Sequence, residues 1–350
     1  MVKVSVIVPV YNGELFLREA IRSIQNQTME DIEIILINDK STDRSGEICN
    51  ELQTEDQRIK VIHLEDNLGI CGARNTGLRI AKGKYVAFCD NDDLFLEDLI
   101  QDNYKLAEEH NADMVKFGRK LIDVDAAGNI LRDKITPMKS IGMYNKQTKF
   151  KHYFAIKSKG LLMNVWNGLY KLSVIKEKDI WFNDFMRYGS EDADFSYRFF
   201  MVSDKIIVNP DYYYIHYRRN EFSTSRKFNE NKLDSMMLAA ESEAVIFDQM
   251  ANTSEIKAKK IIEINKLIMN MYTQQIFHQN NPMSIKEKIN YLYTIKEKKH
   301  LNYSLNKDVK SELKKIKIKH LPFSIAYNNN WMRLSYIILK LQHMMNNETW

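Results

Sequence analysis

The first 120 residues alternate between two hydrophobic periods, and no other feature limits the fold as tightly. Val4-Ser5-Val6-Ile7-Val8 is an apolar run of strand length within a strand-like stretch from Val2 to Val10. Leu17, Ala20, Ile21 and Ile24 follow at helical spacing. Further strands are predicted over residues 32–37, 60–64, 85–89 and 114–117, and further helices over residues 43–52, 71–81 and 96–107. Continuous apolar strands separated by helices read as a parallel sheet with both faces covered.

At 350 residues the chain has the length of about two domains. All 12 glycines lie at or before Gly189. Beyond them the sequence is poor in turns and rich in Lys, Glu, Leu, Ile and Met, as helices are. Ile261, Ile264, Leu267, Ile268 and Met271 keep helical spacing there. Between about Lys120 and Ser225 the pattern is looser and reads as α+β, with Tyr212-Tyr213-Tyr214 as an aromatic run. Cys49, Cys71 and Cys89 are odd in number and each sits inside a β/α stretch. They exclude a secreted disulfide scaffold and point to a reducing compartment. The chain opens without a basic-then-apolar leader and has no run of 18 apolar residues, so a cytoplasmic location is expected.

In open α/β sheets, ligands sit beyond the carboxyl ends of the strands. Four successive strand ends here carry polar, turn-forming residues: Pro9-Val10-Tyr11-Asn12-Gly13, Asn38-Asp39-Lys40-Ser41-Thr42-Asp43, Asp66-Asn67-Leu68-Gly69 and Asp90-Asn91-Asp92-Asp93. Two carboxylates one residue apart, Asp90 and Asp92, can serve a hard cation that shares its oxygens with substrate phosphates. The plainer reading is that Asp92 or Asp93 caps a helix beginning near Leu94. Asp39 can accept from a base or ribose, or open an Asx-turn before Asp43. Tyr11 can stack on a base or pack at the sheet edge. Arg74 can meet a diphosphate or be a solvated helix charge. Glu191-Asp192, after Gly189-Ser190, is either an acidic first turn favoured by the helix dipole or a general base with its neighbour. His216 can be a ligand, a phosphate contact or an ordinary strand histidine. Zinc spacing, a Cys-x-x-Cys pair, a nucleophile elbow, a Walker loop and a dinucleotide fingerprint are all missing from the sequence.

Taken together these segments resemble family 2 glycosyltransferases of the GT-A fold. The resemblance is carried by Val4 to Asn12, Asn38-Asp39-Lys40-Ser41-Thr42-Asp43, Asn67-Leu68-Gly69, Ala73-Arg74-Asn75-Thr76-Gly77, Asp90-Asn91-Asp92-Asp93 and Ser190-Glu191-Asp192-Ala193-Asp194-Phe195, in family order over residues 1–225. It implies a Rossmann-like mixed sheet flanked by helices: a catalytic domain over 1–225, with a nucleotide-binding half at 1–118 and an acceptor half at 119–225. Residues 226–350 would form a helical extension. It implies inverting transfer of one sugar from a nucleotide sugar, most often a UDP-sugar, to a surface glycan. By motif position Pro9, Tyr11, Glu14, Asp39, Asn67, Arg74, Asp90 and Asn91 would serve the nucleotide. Asp92 would hold Mn²⁺ or Mg²⁺, and Asp192 would be the base with Glu191 beside it. Trp166, Asn167, His216 and Arg218 would face the acceptor or the diphosphate. The family often has Asp-Asp before Gly-Ser where this sequence has Asn38-Asp39-Lys40-Ser41; Asp39 is retained, and Lys40 would alter the base pocket or neutralise a phosphate. The sequence has no Gln-x-x-Arg-Trp segment, so single-sugar addition is expected rather than processive synthesis. A sugar nucleotidyltransferase and a catalytically idle nucleotide-sugar-binding module are the rival readings. The first would call for a Gly-rich basic loop where Pro9-Val10-Tyr11-Asn12 stands.

The net charge of +5 is unevenly spread. Between Lys286 and Lys319 eleven lysines face only Glu287, Glu297, Asp308 and Glu312. An anionic membrane surface, reached from the inner face of the cell membrane and suited to a lipid-linked acceptor, is one partner open to this segment together with the apolar Ile337-Ile338-Leu339 patch. Packing on the chain itself or in a homo-oligomer is the other. Aromatic and basic residues do not interleave as a binding platform, so nucleic acid is not expected.

Overall fold

Strands that are apolar without alternation belong in the middle of a sheet, and β1 (Val4–Val10) lies there, paired in parallel on both edges. Its neighbours are β2 (Ile32–Asn38) and β4 (Tyr85–Phe88), and β3 (Ile59–His63) pairs in parallel with β2. The remaining strands are β5 (Leu94–Phe95), β6 (Met114–Val124), β7 (Ile130–Ile135), β8 (Gly142–Asn145), β9 (Gly168–Lys171) and β10 (Lys205–Arg219). This is a computed structural model describing residues 1–125, 127–135, 141–219, 228–229 and 231–347. The main strand order is β3-β2-β1-β4-β9-β6-β10-β5, with β7 paired to β6 and β8 to β10. A wholly parallel sheet, as the strand–helix alternation alone suggests, is not what forms. β9 enters antiparallel between β4 and β6, and β5, β7 and β8 also pair antiparallel. The result is the mixed sheet that the resemblance implies.

The helices of this unit are α1 (Leu17–Gln25), α2 (Ser45–Glu55), α3 (Gly69–Ile80), α4 (Leu99–His110), α5 (Lys149–Ser158), α6 (Leu172–Glu177) and α7 (Glu191–Val202). Leu17, Ala20, Ile21 and Ile24 form the buried stripe of α1. Val6, Val8, Leu36, Tyr85, Phe117 and Ile207 share one apolar core with that stripe. The helix expected from residue 96 starts later, at Leu99, because Leu94 and Phe95 pair with Ile215 and Tyr214 as β5. Neither Asp92 nor Asp93 therefore caps a helix.

Pro9 marks where the sheet opens. Along β1, Ile7 faces β4, since its carbonyl accepts from the Cys89 amide, and Val10 faces β2, accepting from the Asp39 amide. Pro9 therefore faces β4 as Ile7 does, but the last β1–β4 pair is Ile7 with Phe88. Its missing N–H falls where the ladder has already ended, a position proline tolerates. The order β2-β1-β4 makes this the topological switch point, where α/β sheets bind ligands.

The chain divides into two compact units, Met1–Thr224 and Ser225–Trp350. The boundary expected after residue 225 lies outside the described residues. The division expected after residue 118 falls inside β6, so the two halves of the first unit share a strand. The second unit is helical: α8 (Asn231–Asp248), α9 (Ser254–Met271), α10 (Ile285–Glu297), α11 (Lys307–Lys317), α12 (Leu321–Asn328) and α13 (Met332–Asn347). Ile264, Ile268, Met271, Leu292, Phe323, Tyr327 and Leu339 build its core. In the basic segment, Lys296 donates to the Tyr327 and Asn328 carbonyls at 2.7 and 2.9 Å and so ends α12. That lysine is structural. Among the described residues, no helix is long and apolar enough to cross a membrane.

Candidate active site

The four strand-end loops are tied to one another. After β1, the Asn12 side chain accepts from the Thr42 amide at 2.8 Å, and the Gly13 amide donates to Ser45 Oγ at 2.8 Å. The Glu14 carboxylate accepts from the Arg44 amide at 3.0 Å. Asp39 accepts from the Leu68 amide at 2.7 Å, and Asn67 donates to the Asp39 carbonyl at 3.0 Å. The Asn91 side chain lies against Gly13, where a Cβ would come within 2.2 Å of its nitrogen. The loop after β4 thereby meets the loop after β1 at the open end of the sheet. Tyr11 projects there, 51% exposed, free of the edge packing that was its plainer reading. Burial raises the Asp39 carboxyl above its usual range, against the pull of the Leu68 and Gly69 amides. Lys40 pairs with Asp66 of the next strand-end loop at 3.1 Å, and both side chains are exposed.

Arg74 joins this edge to the second acidic pair. It sits on α3 at 1% exposure, which rules out a solvated helix charge. One guanidinium nitrogen donates to Glu191 at 3.2 Å and to Asp192 at 2.5 Å, and the other to Asp90 at 3.1 Å. Arg74 was expected to meet a diphosphate, yet its terminal nitrogens are directed at three carboxylates. Breaking such a buried cluster by removing one partner typically costs about 3–5 kcal/mol. The next residue, Asn75, exchanges hydrogen bonds with the Phe182 backbone, at 2.9 Å as donor and 2.8 Å as acceptor. One helix thus fixes both the carboxylates and the segment that leads to them.

Gly189 (φ 131°) and Ser190 (φ 67°) reverse the chain just before Glu191. Only glycine takes the first conformation without strain. The turn sets Glu191 and Asp192 on the first turn of α7, whose dipole favours anions. Burial and the nearby Asp192 raise Glu191 above the carboxylate range, with Arg74 opposing. Burial likewise raises Asp90; Arg74 lowers it, while Asp93, Asp192 and Asp92 push it up. Asp192 is fixed from two sides: Arg74 holds one oxygen, and the Val165 amide donates to the other at 3.2 Å. The same peptide group's carbonyl, on Asn164, accepts from the fully buried Lys116 ammonium at 2.7 Å. Burial pushes the Lys116 ammonium well below its ordinary range, while Asp192 draws it back up.

Asp93, which the sequence offers as a helix cap, is a buried acceptor instead. It takes Tyr214 Oη at 2.8 Å, His216 Nδ1 at 2.9 Å and the Tyr217 amide at 2.8 Å. Burial works against the His216 imidazolium, but the Asp93 hydrogen bond and charge outweigh it and raise the histidine. Asp92 remains 38% exposed and pairs with Arg219 at 3.3 Å. Burial and Asp93 lift its carboxyl to about 6, with Arg219 and His216 opposing. Arg219 stacks over Phe16, 4.0 Å from the ring centre.

Trp166 and Asn167 do not face an acceptor. They are 4% and 2% exposed, and Trp166 stacks on Tyr214 and His216 at 4.4 and 5.1 Å. Trp166 supports β10 beneath the Asp93 loop, and Asn167 donates to the Phe117 carbonyl of β6 at 3.4 Å. Arg218 makes a bidentate pair with Asp123, its partner on β6, at 2.5 and 2.6 Å. Its neighbour Arg219 reaches the acidic loop. In the sequence Arg218-Arg219 the two are indistinguishable, and only the β6–β10 register separates them.

Among the described residues no group of three or more His, Cys, Asp or Glu is arranged to hold a metal ion. These residues build no closed cage. The site offers oxygen donors only, with Asp92 partly open and Asp90 near it in sequence. That donor set fits a cation whose other ligands are water and substrate phosphate.

Comparison with known proteins agrees with this geometry. The family model "Glycosyl transferase family 2" matches residues 5–177. The chain is 33% identical over 256 residues to glycosyltransferase GlyA of Streptococcus pneumoniae, covering 71% of this chain and 35% of GlyA. It is 33% identical over 238 residues to the poly(ribitol-phosphate) beta-N-acetylglucosaminyltransferase TarP of Staphylococcus aureus, covering 66% of this chain and 67% of TarP. It thus spans only about a third of GlyA. Its fold is similar to that of S. aureus TarS 1-349 in complex with UDP-GlcNAc, with TM-score 0.67 and 18% identity over 98% of this chain and 92% of that one.

Proposed function

The chain belongs to glycosyltransferase family 2, and on that footing we propose that it transfers a single sugar from a UDP-sugar to a hydroxyl of a growing surface glycan, with inversion and with a divalent cation. The observation that carries this reading is the gathering of Asp90, Glu191 and Asp192 on Arg74, at the open end of the sheet. The UDP-GlcNAc complex of TarS and the sugar named for TarP support a nucleotide sugar of the N-acetylhexosamine class as donor.

In this reading Asp192 is the base. Arg74 and the Val165 amide orient its carboxylate, and each carboxylate oxygen keeps a lone pair for an incoming proton. The acceptor oxygen bonds to the anomeric carbon as the bond from that carbon to the diphosphate oxygen breaks, and the hydroxyl proton passes to Asp192. A diphosphate leaves without being protonated, so one carboxylate suffices where hydrolysis of a glycoside needs two. Asp92, with Asp90, would hold Mn²⁺ or Mg²⁺, which when bound neutralises charge on the departing diphosphate. Tyr11, Asp39 and Asn67 stand at the nucleotide end, with Pro9, Glu14 and Asn91 shaping its loops.

The test is Asp192→Asn, assayed with a panel of UDP-sugars. Donor binding is expected to stay within about threefold, while transfer falls by roughly 10²–10⁴-fold. Unchanged turnover would remove the base assignment. Intact donor binding in excess chelator would remove the cation from the reading.

A further inference from the structure

The last helix of the second unit is apolar on two opposite sides. Met332, Ser335, Tyr336 and Leu339 of α13 are buried in that unit. On the other side Leu334, Ile337 and Leu341 are 44%, 50% and 54% exposed, and Met344 and the preceding Trp331 are exposed with them. At about 100° per residue Leu334, Ile337, Leu341 and Met344 share one arc, facing away from the buried stripe. A helix that is apolar all round is ordinarily covered all round. A contiguous exposed patch of this kind marks an interaction surface.

The surrounding charge says what covers it. Between Glu312 and Glu348 the sequence contains no Asp or Glu, while it holds Lys314, Lys315, Lys317, Lys319, Arg333 and Lys340. Arg333 and Lys340, two helical turns apart, flank the apolar arc on the same side. Ile316 and Ile318 are also exposed, and they alternate with the lysines at the end of α11. A second copy packed face to face would set Arg333 and Lys340 against their own counterparts, with no carboxylate on α13 to pair with them. An anionic bilayer surface offers both complements at once, acyl chains for the apolar arc and phosphate headgroups for the cations.

We propose that the outward face of α13 lies in the interface of an anionic lipid bilayer, with the helix parallel to the surface. This surface is independent of the catalytic reading, since none of its residues belongs to the strand-end site. At 16 residues α13 is too short to span a bilayer.

The experiment is co-sedimentation of the full chain with vesicles of phosphatidylcholine alone or mixed about equally with phosphatidylglycerol, alongside light scattering for oligomeric state. Ile337→Glu/Leu341→Glu is the test variant; both positions are exposed, and a thermal melt checks that it folds. The expected result is binding to the anionic vesicles at least tenfold tighter than to neutral ones, lost at high salt and lost in the variant. Three outcomes overturn the proposal. The wild-type chain ignores anionic vesicles; or the variant binds them as well as wild type does; or the chain is a dimer that the variant dissociates without any vesicle binding, which would assign the face to a second copy.

Discussion

Lys116 shows how far a single residue's effect can reach without touching a ligand. Its ammonium bonds to the Asn164 carbonyl and to Tyr170 Oη at 2.7 and 3.0 Å, and the peptide so polarised donates to Asp192. The hydrogen bond behind that peptide holds the Val165 amide against the carboxylate in front of it. Lys116→Met keeps the volume and removes the donor. It is expected to lower kcat about tenfold and to leave the donor KM unchanged. An unchanged kcat would make Lys116 a packing residue only. At this scale the sequence is legible only in part. The types of Asp90, Asp92, Glu191 and Asp192 declare their chemistry, but a lone lysine in a strand declares nothing.

At the scale of the element, α7 carries the proposed base at one end and its anchor at the other. The acidic pair opens it, and the buried Lys149 on α5 closes it, donating to the carbonyls of Phe200, Met201 and Ser203 at 2.6, 2.7 and 2.7 Å. These are carbonyls that a helix end otherwise leaves without partners. Lys149→Met should cost about 3 kcal/mol, read as a lower urea midpoint, because it strands buried acceptors. A loss under about 0.5 kcal/mol would mean that water replaces the ammonium. Nothing in Lys149-Phe150-Lys151 marks the first lysine as the buried one; the fold chooses it.

At the scale of the whole molecule, the first unit presents four loops that are far apart in sequence and bonded in space, and a ligand seated among them should quiet all four together. Hydrogen exchange with and without UDP and Mn²⁺ is expected to show new protection at residues 9–14, 38–43, 66–69 and 90–93, and none across 231–347. Protection confined to one loop would mean that the four do not form one site.

The amino-acid order by itself determined most elements of the first 120 residues and singled out the strand-end loops. Hydrophobic period is a local property, so Val4–Val10, Ile32–Asn38 and the stripe of α1 follow from neighbours a few residues apart. Turn-forming Asp, Asn and Gly at strand ends announce a site for the same reason. Only the tertiary structure decided which charges meet. Arg74 and Asp192 are 118 residues apart, and their contact depends on how α3 and α7 are placed on the sheet. Strand register alone sends Arg218 to Asp123 and leaves Arg219 for Asp92, and burial alone makes Trp166 a support for β10. Long-range pairing and burial are sums over the whole packed unit, and no stretch of sequence contains them.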